Sequence, residues 1–264
     1  MIECTVSDIC AATGCALLAG DAATHVAGVT IDSRRVGDGC LFVAFKGERV
    51  DGNAYLRAAA EGGASAVVCC AEPAAEQLSH LSELGCAVLR ADADDPEEFL
   101  LRLAAWWRAG KQWLVVGVTG SVGKTTTKDM LSCALSTRWR THATAGNLNN
   151  LIGVPLTLLS APADAGALVV EMGMNHPGEI ARLAQAARPQ LAVITNVGTS
   201  HIGLLGSREG IARAKAEIVA PLAQAPASEP ACEPRLFVLG GGDYMDLIER
   251  EYAEPAQVAV ERVG

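Results

Sequence analysis

The fold of this chain is decided by the stretch Trp113-Leu-Val-Val-Gly-Val-Thr-Gly-Ser-Val-Gly-Lys-Thr-Thr-Thr127. Its first half is an apolar run typical of a buried β-strand. Its second half is a glycine-rich turn that leads into a helix from Lys124. Successive backbone N–H groups in such a turn form a nest for anions, and the helix N-terminus adds positive potential. The stretch therefore predicts a phosphate-binding loop between a strand and a helix.

This turn departs at one position from the strict phosphate-binding pattern, Gly-x4-Gly-Lys-[Ser/Thr]. The strict pattern requires a glycine where this chain has Val118. In the shorter motif that remains, the Lys124 ammonium would neutralise the β- and γ-phosphates of a nucleotide, and the Thr125 hydroxyl would ligate Mg²⁺. A chance glycine- and threonine-rich turn is the alternative. The predicted nucleotide-binding residues are Gly120, Ser121, Val122, Gly123, Lys124, Thr125 and Thr126.

Strands and helices alternate regularly after this loop. Strand-like runs cover residues 167–170, 191–195 and 235–239, and helical patterns cover 179–187 and about 207–222. Such alternation is typical of a parallel sheet with helices on both faces. The first 90 residues have shorter strand-like runs separated by turns. We therefore predict an α/β protein with a small N-terminal α/β domain, residues 1–90, and a larger P-loop domain, residues 91–264.

The predicted boundary is marked by the acidic segment Asp92-Ala-Asp-Asp-Pro96. Asp95 has the residue type of a helix N-cap, and Pro96 suits the first helical position. The pattern after it predicts a helix that continues to about Ala109.

Composition excludes several classes of protein. The chain has 264 residues, half of them apolar, with 30 acidic and 21 basic residues and a net charge of −9. It is too apolar to be disordered and too acidic to be a typical nucleic-acid binder. Residues 111–224 nevertheless carry ten basic and six acidic groups. This positive middle favours an anion site there, although scatter in surface charge would explain it as well.

Targeting and cysteine patterns point to the cytoplasm. The N-terminus has no basic segment followed by an apolar core of signal-peptide length. No window reaches the roughly 18 apolar residues that a membrane span requires. The nine cysteines include no Cys-x-x-Cys pair, which favours free thiols in a reducing compartment over a disulfide framework.

Three further residues are candidates for chemistry. The apolar run 167–170 ends in Glu171, at the carboxyl edge of the predicted sheet, where open α/β sheets place their sites. A glutamate that ends a strand is by itself usually solvated, but beside a phosphate-binding loop it suits a metal ligand. His201 follows the next strand at the same edge, and Lys215 lies in a predicted helix. On spacing alone, both are ordinary structural or solvated residues.

Four segments occur together and in one order: the loop segment 119–128, Ala145-Gly-Asn-Leu-Asn-Asn-Leu-Ile-Gly-Val-Pro-Leu-Thr-Leu-Leu159, Glu171-Met-Gly-Met-Asn-His-Pro-Gly-Glu179 and Ala214-Lys-Ala-Glu-Ile218. In this combination the chain resembles the Mur ligases of peptidoglycan synthesis. Segment 147–155 is similar to that of the members that add D-alanyl-D-alanine to UDP-N-acetylmuramoyl-tripeptide. Members that add the third amino acid have different residues there.

The resemblance implies an ATP- and Mg²⁺-dependent ligase that forms an amide through an acyl phosphate. Thr125 and Glu171 match the family's ligands of a first Mg²⁺, and His201 matches its ligand of a second. Lys215 matches a lysine that family members carry as a metal-binding carbamate. The predicted metal ligands are thus Thr125, Glu171, His201 and Lys215, and the predicted catalytic set is Lys124, Glu171, His201 and Lys215.

The first domain resembles the same family in the segment 30–52. In Mur ligases this domain holds the UDP end of the substrate, and a diphosphate with uracil requires cations and hydrogen-bond donors. The family often continues with Asp-Gly-His-Asp-Phe, whereas this chain has Asp51-Gly-Asn-Ala-Tyr55. The residues expected to contact substrate are Ser33, Arg34 and Lys46 in this domain, and Asn147, Asn149 and Asn150 in the second.

The resemblance covers nearly the whole chain but only part of a Mur ligase, which has three domains. Later segments that hold adenine and ribose are missing, as is the C-terminal domain that binds the incoming amine. We therefore expect a fragment, a split-gene product or a truncated form, inactive alone as an acid–D-amino-acid ligase. A separate chain is one conceivable source of the missing domain. Two alternatives stay open: a Mur ligase that adds the third amino acid, and a non-catalytic P-loop module.

Overall fold

The computed structural model describes residues 1–47, 50–200, 202–225 and 231–264 and divides into two compact units, Met1–Trp106 and Trp107–Gly264. This division lies later than the predicted boundary at residue 90, because most of the helix Pro96–Ala109 belongs to the first unit. Arg102 on this helix donates to the Thr13 carbonyl at 3.1 Å and pairs with Asp92. The predicted cap is confirmed: Asp95 Oδ1 accepts the backbone N–H groups of Glu97 and Glu98, both at 3.0 Å.

The first unit contains two sheets. β1 and β3 pair antiparallel; β4, β5, β6 and β7 run parallel, and β2 joins the edge of β7 antiparallel. Short 3₁₀ turns occupy Ser33–Arg35, Gly52–Tyr55 and Asp92–Asp94. In chain order the elements are β1 (Glu3–Thr5), α1 (Val6–Thr13), β2 (Ala16–Ala19), β3 (His25–Ala27), β4 (Val29–Thr30), β5 (Leu41–Val43), α2 (Leu56–Glu61), β6 (Ala66–Cys69), α3 (Ala75–Glu83), β7 (Ala87–Arg90) and α4 (Pro96–Ala109).

The second unit is built on one six-stranded sheet in the order β13-β12-β11-β8-β10-β9, with every neighbouring pair parallel. A π-helical turn, Glu249–Ala253, follows α11. The elements are β8 (Leu114–Thr119), α5 (Lys124–Ser136), β9 (Thr141–Ala143), α6 (Gly153–Ser160), β10 (Ala167–Glu171), α7 (Glu179–Ala187), β11 (Leu191–Ile194), α8 (Ile202–Leu205), α9 (Arg208–Ala216), α10 (Val219–Leu222), β12 (Arg235–Leu239), α11 (Asp243–Ile248) and β13 (Ala259–Val263).

Helices cover both faces of this sheet, as the sequence predicts. Val116 and Val118 of β8 face one side, where they pack in a cluster with Leu131 and Leu135 of α5. Gly117 between them faces the other side, where a Cβ would lie 3.0 Å from Ile218 Cδ1. The alternation of side chains along a strand thus assigns α5 to one layer and the start of α10, where Ile218 is the N-cap, to the other. Within the described ranges, no helix is long and apolar enough to cross a membrane.

One predicted helix is divided in the structure. The sequence pattern predicts a single helix over residues 207–222, whereas α9 ends at Ala216 and α10 begins at Val219. Pro221 explains the break, because a proline cannot donate to the carbonyl four residues earlier, here that of Glu217, and its ring crowds that carbonyl. The Glu217 side chain instead accepts the backbone N–H of Gly178 at 2.7 Å and that of Ala181 at 3.1 Å, at the start of α7.

Candidate nucleotide and metal site

The phosphate-binding loop connects β8 to α5 at the carboxyl edge of the sheet. Val118 is completely buried in β8, so the position at which the strict pattern requires glycine belongs to the core here. The turn starts at Gly120, with φ +149°, and ends at Gly123, with φ +84° at the N-cap of α5. A Cβ at residue 120 would lie 1.8 Å from Thr195 Oγ1. Only glycine therefore fits this start of the loop.

The loop is held from the neighbouring strand β11. Asn196 Oδ1 accepts the Val122 N–H at 3.1 Å, and Asn196 Nδ2 donates to the Val122 carbonyl at 3.0 Å. Thr195 Oγ1 donates to the same carbonyl at 2.6 Å. Ser121 contributes from the loop itself, since its hydroxyl accepts the Gly198 N–H at 2.9 Å. Together with the Ser121 N–H, which donates to the Asn196 carbonyl at 3.2 Å, these contacts hold the loop before any ligand binds.

The solvent side of the loop carries the groups expected to meet a nucleotide. Gly123, Thr125 and Thr126 are exposed, and the Val122 side chain is 66% exposed. Lys124, the first residue of α5, donates its Nζ to the Gly120 carbonyl at 3.1 Å and thus lies over the turn. A cation, exposed hydroxyls and a helix N-terminus therefore converge on one accessible surface, which suits an anionic ligand.

Glu171 ends β10 and is 2% exposed. Asn149 Nδ2 donates to its Oε1 at 2.8 Å, and the Thr144 hydroxyl accepts its backbone N–H at 3.0 Å. Its Oε2 is buried with no hydrogen-bond partner among the described residues. Buried carboxylate oxygens are normally paired or coordinate metals, because desolvating an uncompensated charge is costly. This oxygen fits a hard cation such as Mg²⁺.

The donor set around the loop suits Mg²⁺ bound with phosphate. In the described ranges, no group of three or more His, Cys, Asp or Glu side chains forms a metal cluster. Mg²⁺ is usually held by one or two carboxylates together with substrate phosphates, so it does not require such a cluster. The Glu171 carboxylate and the Thr125 hydroxyl would supply protein oxygens, and the loop would hold the phosphates.

Lys215 of α9 is 2% exposed. Burial, and after it the neighbouring charge of Lys124, together lower the pKa of its amine to about 8. A substantial neutral fraction at neutral to mildly alkaline pH follows, and carbamate formation requires the neutral amine. His201, the predicted second Mg²⁺ ligand, lies outside the described residues.

The three candidate asparagines have different surroundings. Asn149 contacts Glu171, and its carbonyl accepts the Gly173 N–H at 2.7 Å. Asn150 Oδ1 accepts the Gly153 N–H at 2.8 Å, at the start of α6. Asn147 is exposed and its carbonyl accepts the Asn149 N–H at 2.8 Å. Asn149 thus supports the Glu171 carboxylate, Asn150 supports the backbone at a helix start, and Asn147 is exposed.

The candidate UDP-binding residues share one edge of the first unit. Ser33 and Arg34 follow β4, and Lys46 follows the adjacent parallel strand β5, so all three lie beyond carboxyl ends of the sheet. The Arg34 side chain is 87% exposed, and Asp32 beside it accepts two of its hydrogen bonds, both at 2.8 Å. Asn53, in the segment that departs from the family pattern, exchanges hydrogen bonds with the end of β6 through Cys70, both at 3.1 Å.

Three residues of the site are missed by the sequence analysis: Thr144, Asn196 and Lys128. Asn196 directly follows the strand-like run at 191–195, a position that could have marked it as a site residue. Thr144 and Lys128 have no comparable signal. Their importance depends on which strands become neighbours, and the short strand β9 is not predicted at all.

Two profiles of one protein family match this chain. The profile of the Mur ligase family catalytic domain matches residues 25–108, and that of the Mur ligase middle domain matches residues 118–228. The UDP-N-acetylmuramoyl-tripeptide–D-alanyl-D-alanine ligase of Bacillus subtilis is 44% identical over 196 residues, which are 74% of this chain and 41% of that protein.

Solved structures agree with the sequence comparison. MurF from Acinetobacter baumannii superposes with a TM-score of 0.83 at 30% identity, over 100% of this chain and 54% of the other. MurF from Thermotoga maritima, solved in complex with ADP, superposes with a TM-score of 0.71 at 30% identity, over 89% of this chain and 49% of the other. This chain therefore spans about half the length of the relatives it matches. By both profiles and by fold, the chain belongs to the Mur ligase family.

Proposed function

We propose that this chain supplies the UDP-substrate and ATP-binding parts of a ligase that joins D-alanyl-D-alanine to UDP-N-acetylmuramoyl-tripeptide. The observation that carries the proposal is the position of Glu171, which pairs with Val118 of β8 just before the open phosphate-binding loop and whose Oε2 is buried and unpartnered among the described residues. Relatives named for this reaction match at 37–44% identity. Residues 1–90 would bind the UDP substrate and residues 91–264 the ATP, in the cytoplasm, where ATP is available.

In this reaction the substrate carboxylate attacks the γ-phosphorus of ATP, the bond from that phosphorus to the β–γ bridging oxygen breaks, and an acyl phosphate and ADP form. The amine of D-alanyl-D-alanine then attacks the acyl carbon, and phosphate leaves. The loop and the Lys124 ammonium orient the phosphates and offset their charge. Thr125 and Glu171 would hold Mg²⁺, which neutralises negative charge on the phosphates when bound.

Two further residues complete the proposed ligand set. His201 would ligate a second Mg²⁺. Lys215 would add its neutral amine nitrogen to CO₂ and release a proton, which gives a carbamate with two oxygen donors. Its burial and its lowered pKa support this, because they favour the neutral amine.

The proposed substrate-binding residues lie near the carboxyl ends of strands in each of the two units. Ser33, Arg34 and Lys46 would contact the UDP end, since two cations and a hydroxyl suit a diphosphate. Asn147 would line the channel for the rest of the substrate. Asn149 and Asn150 would shape this channel indirectly, because the first holds Glu171 and the second holds the start of α6.

Calorimetric titration of the chain tests both halves of the proposal. We expect UDP-N-acetylmuramoyl-tripeptide to bind more tightly than UDP-glucose, and Arg34→Ala to weaken that binding. Arg57→Ala is the matched control, because Arg57 is an exposed arginine of α2 paired only with Glu61 among the described contacts. ATP with Mg²⁺ should bind to the parent chain and fail to bind to Lys124→Ala. A chain that binds ATP but no UDP-linked muramoyl peptide would be a nucleotide-binding module instead.

A further inference from the structure

A second lysine of α5 lies buried one helical turn beyond Lys124. Lys128 is 6% exposed, and its Nζ donates to the Thr144 carbonyl at 2.9 Å. The same ammonium lies 2.7 Å from the exposed carboxylate of Asp129. Burial of an ammonium group is costly unless it is paired and hydrogen-bonded. The proposed reaction assigns no task to Lys128, so its location requires a reason.

Thr144 connects this lysine to the metal-binding carboxylate. It is 1% exposed and directly follows Ala143, the last residue of β9. Its N–H donates to the Val169 carbonyl at 3.0 Å, which extends the pairing with β10 by one residue. Its hydroxyl then accepts the Glu171 N–H at 3.0 Å. A side-chain oxygen therefore takes the place of a strand carbonyl at the point where β9 ends.

We propose that Lys128 and Thr144 are positioning residues for Glu171. The Lys128 ammonium fixes the Thr144 carbonyl, and the Thr144 hydroxyl fixes the Glu171 backbone, so that Glu171 Oε2 is held towards the phosphate-binding loop. This inference rests on the proposed role of Glu171 as a Mg²⁺ ligand. The relay reaches Glu171 through its backbone, whereas Asn149 reaches it through Oε1.

The relay also couples two elements of the site. Lys128 belongs to the same helix as Lys124 and Thr125, the proposed phosphate and Mg²⁺ contacts, whereas Glu171 belongs to a strand. A contact from α5 through Thr144 to β10 fixes the distance between the hydroxyl and the carboxylate that would share one Mg²⁺. Residues that orient metal ligands typically change metal affinity by about 10- to 100-fold when they are replaced.

The first test measures the relay in the metal-free protein, by amide hydrogen exchange at Glu171. Thr144→Val keeps the shape of the side chain but removes the acceptor, so the Glu171 amide should exchange at least about tenfold faster, as expected for loss of one hydrogen bond. Thr144→Ser keeps the hydroxyl, so its Glu171 amide should exchange at the same rate as in the parent. Unchanged exchange in Thr144→Val would overturn the contact on which the inference depends.

The second test measures ATP affinity with Mg²⁺ and, separately, with EDTA. Lys128→Met and Thr144→Val should raise the Mg²⁺ concentration needed for half-maximal binding by about tenfold or more. Affinity for metal-free ATP should stay unchanged, and Thr144→Ser should restore the parent value. Lys111→Met is the control, because Lys111 precedes β8 at the opposite edge of the sheet. Thermal unfolding identifies any variant that fails to fold. If Lys128→Met does not fold, Thr144→Val tests the relay with a side chain of nearly the same shape as threonine.

The outcomes separate this inference from the proposed function. If the parent binds ATP without any dependence on Mg²⁺, or if Glu171→Gln changes nothing, the metal site itself is wrong. If Glu171→Gln abolishes the dependence while Lys128→Met and Thr144→Val both behave like the parent, only the positioning role is wrong. If Lys128→Met and Thr144→Val lose the same affinity for ATP with and without Mg²⁺, their role is a general structural one, and the positioning role is also overturned.

Discussion

Asn196 holds the backbone of Val122 by both of its polar atoms, with Oδ1 accepting the N–H at 3.1 Å and Nδ2 donating to the carbonyl at 3.0 Å. The two residues are 74 positions apart in the chain. They meet because β8 and β11 are neighbours in the sheet. The shape of the phosphate-binding loop is therefore imposed by another strand as well as by its own glycines.

Replacement of Asn196 by alanine should loosen the loop. Two hydrogen bonds are lost, so the unfolding free energy should fall by about 1–2 kcal/mol. Affinity for ATP should fall more steeply than stability alone explains, because the free loop must then be ordered on binding. Urea denaturation and calorimetry measure the two effects. Unchanged affinity for ATP would show that the glycines and the Thr195 contact are sufficient.

Glu171→Gln should separate stability from metal binding. Glutamine keeps the Oε1 acceptor for Asn149 but removes a negative charge that is buried without a partner at Oε2 among the described residues. We expect equal or higher stability in metal-free buffer, since a buried uncompensated charge is destabilising. We also expect the Mg²⁺ dependence of ATP binding to disappear. A large loss of stability in EDTA would mean that the carboxylate has a structural role.

Lys215→Met should stabilise the protein in a pH-dependent way. The folded pKa is about 8, against an ordinary value of 10.5. Below pH 8 the amine is protonated in both states, and the folded protein carries the full cost of the buried charge. Between these two values the unfolded state binds more protons, so the unfolding free energy of the parent rises with pH.

The gain from Lys215→Met should therefore be largest below pH 8 and should shrink as the pH approaches 10.5. Denaturation of both proteins at several pH values in CO₂-free buffer measures this difference. Subtraction of the two curves removes the titration of other groups. A gain that is constant with pH would contradict a depressed pKa at Lys215.

Arg108→Met should destabilise the second unit. The Arg108 side chain is completely buried and donates to four backbone carbonyls, which belong to Lys111, Trp113, Ala187 and Arg188. Methionine fills similar space but removes these four hydrogen bonds, at a cost of roughly 2–5 kcal/mol, although the Trp113 carbonyl keeps Gln190 Nε2 as a donor at 3.3 Å. Chemical denaturation measures the loss. The control is Arg250→Met, at an arginine whose side chain is 69% exposed, which should change stability by less than about 0.5 kcal/mol.

Much of the sheet in the second unit could be predicted from local sequence. Apolar runs at 113–118 and 167–170 correspond to β8 and β10, and the helix predicted from Lys124 begins there. The strand β9 could not be predicted, because Thr141–Ala143 is only three residues long and is not strongly apolar. It is a strand because β10 pairs with it in parallel register.

Site residues that belong to one sequence motif could be predicted. Residues whose environment depends on elements distant in the chain could not. The loop glycines and Lys124 form a motif, whereas the burial of Lys215 depends on the packing of α9 against the helices α7, α8 and α11. A lysine in an isolated helical pattern looks solvated, since its charge favours water. Lys128 has the same pattern and is also buried. Tertiary packing, rather than helical propensity, decides the environment of both amines.

Gly117 allows close packing on the face of β8 that lies opposite α5. A methyl group at this position would meet Ile218 Cδ1 at 3.0 Å, Met172 Cε at 3.4 Å and the Pro189 ring at 3.4 Å. Gly117→Ala would therefore displace the Ile218 side chain, at the N-cap of α10, by a few tenths of an ångström. Ile218 donates its backbone N–H to the Lys215 carbonyl at 3.4 Å, so its position bears on the buried lysine. The environment of the Lys215 amine thus depends on the absence of a side chain at Gly117.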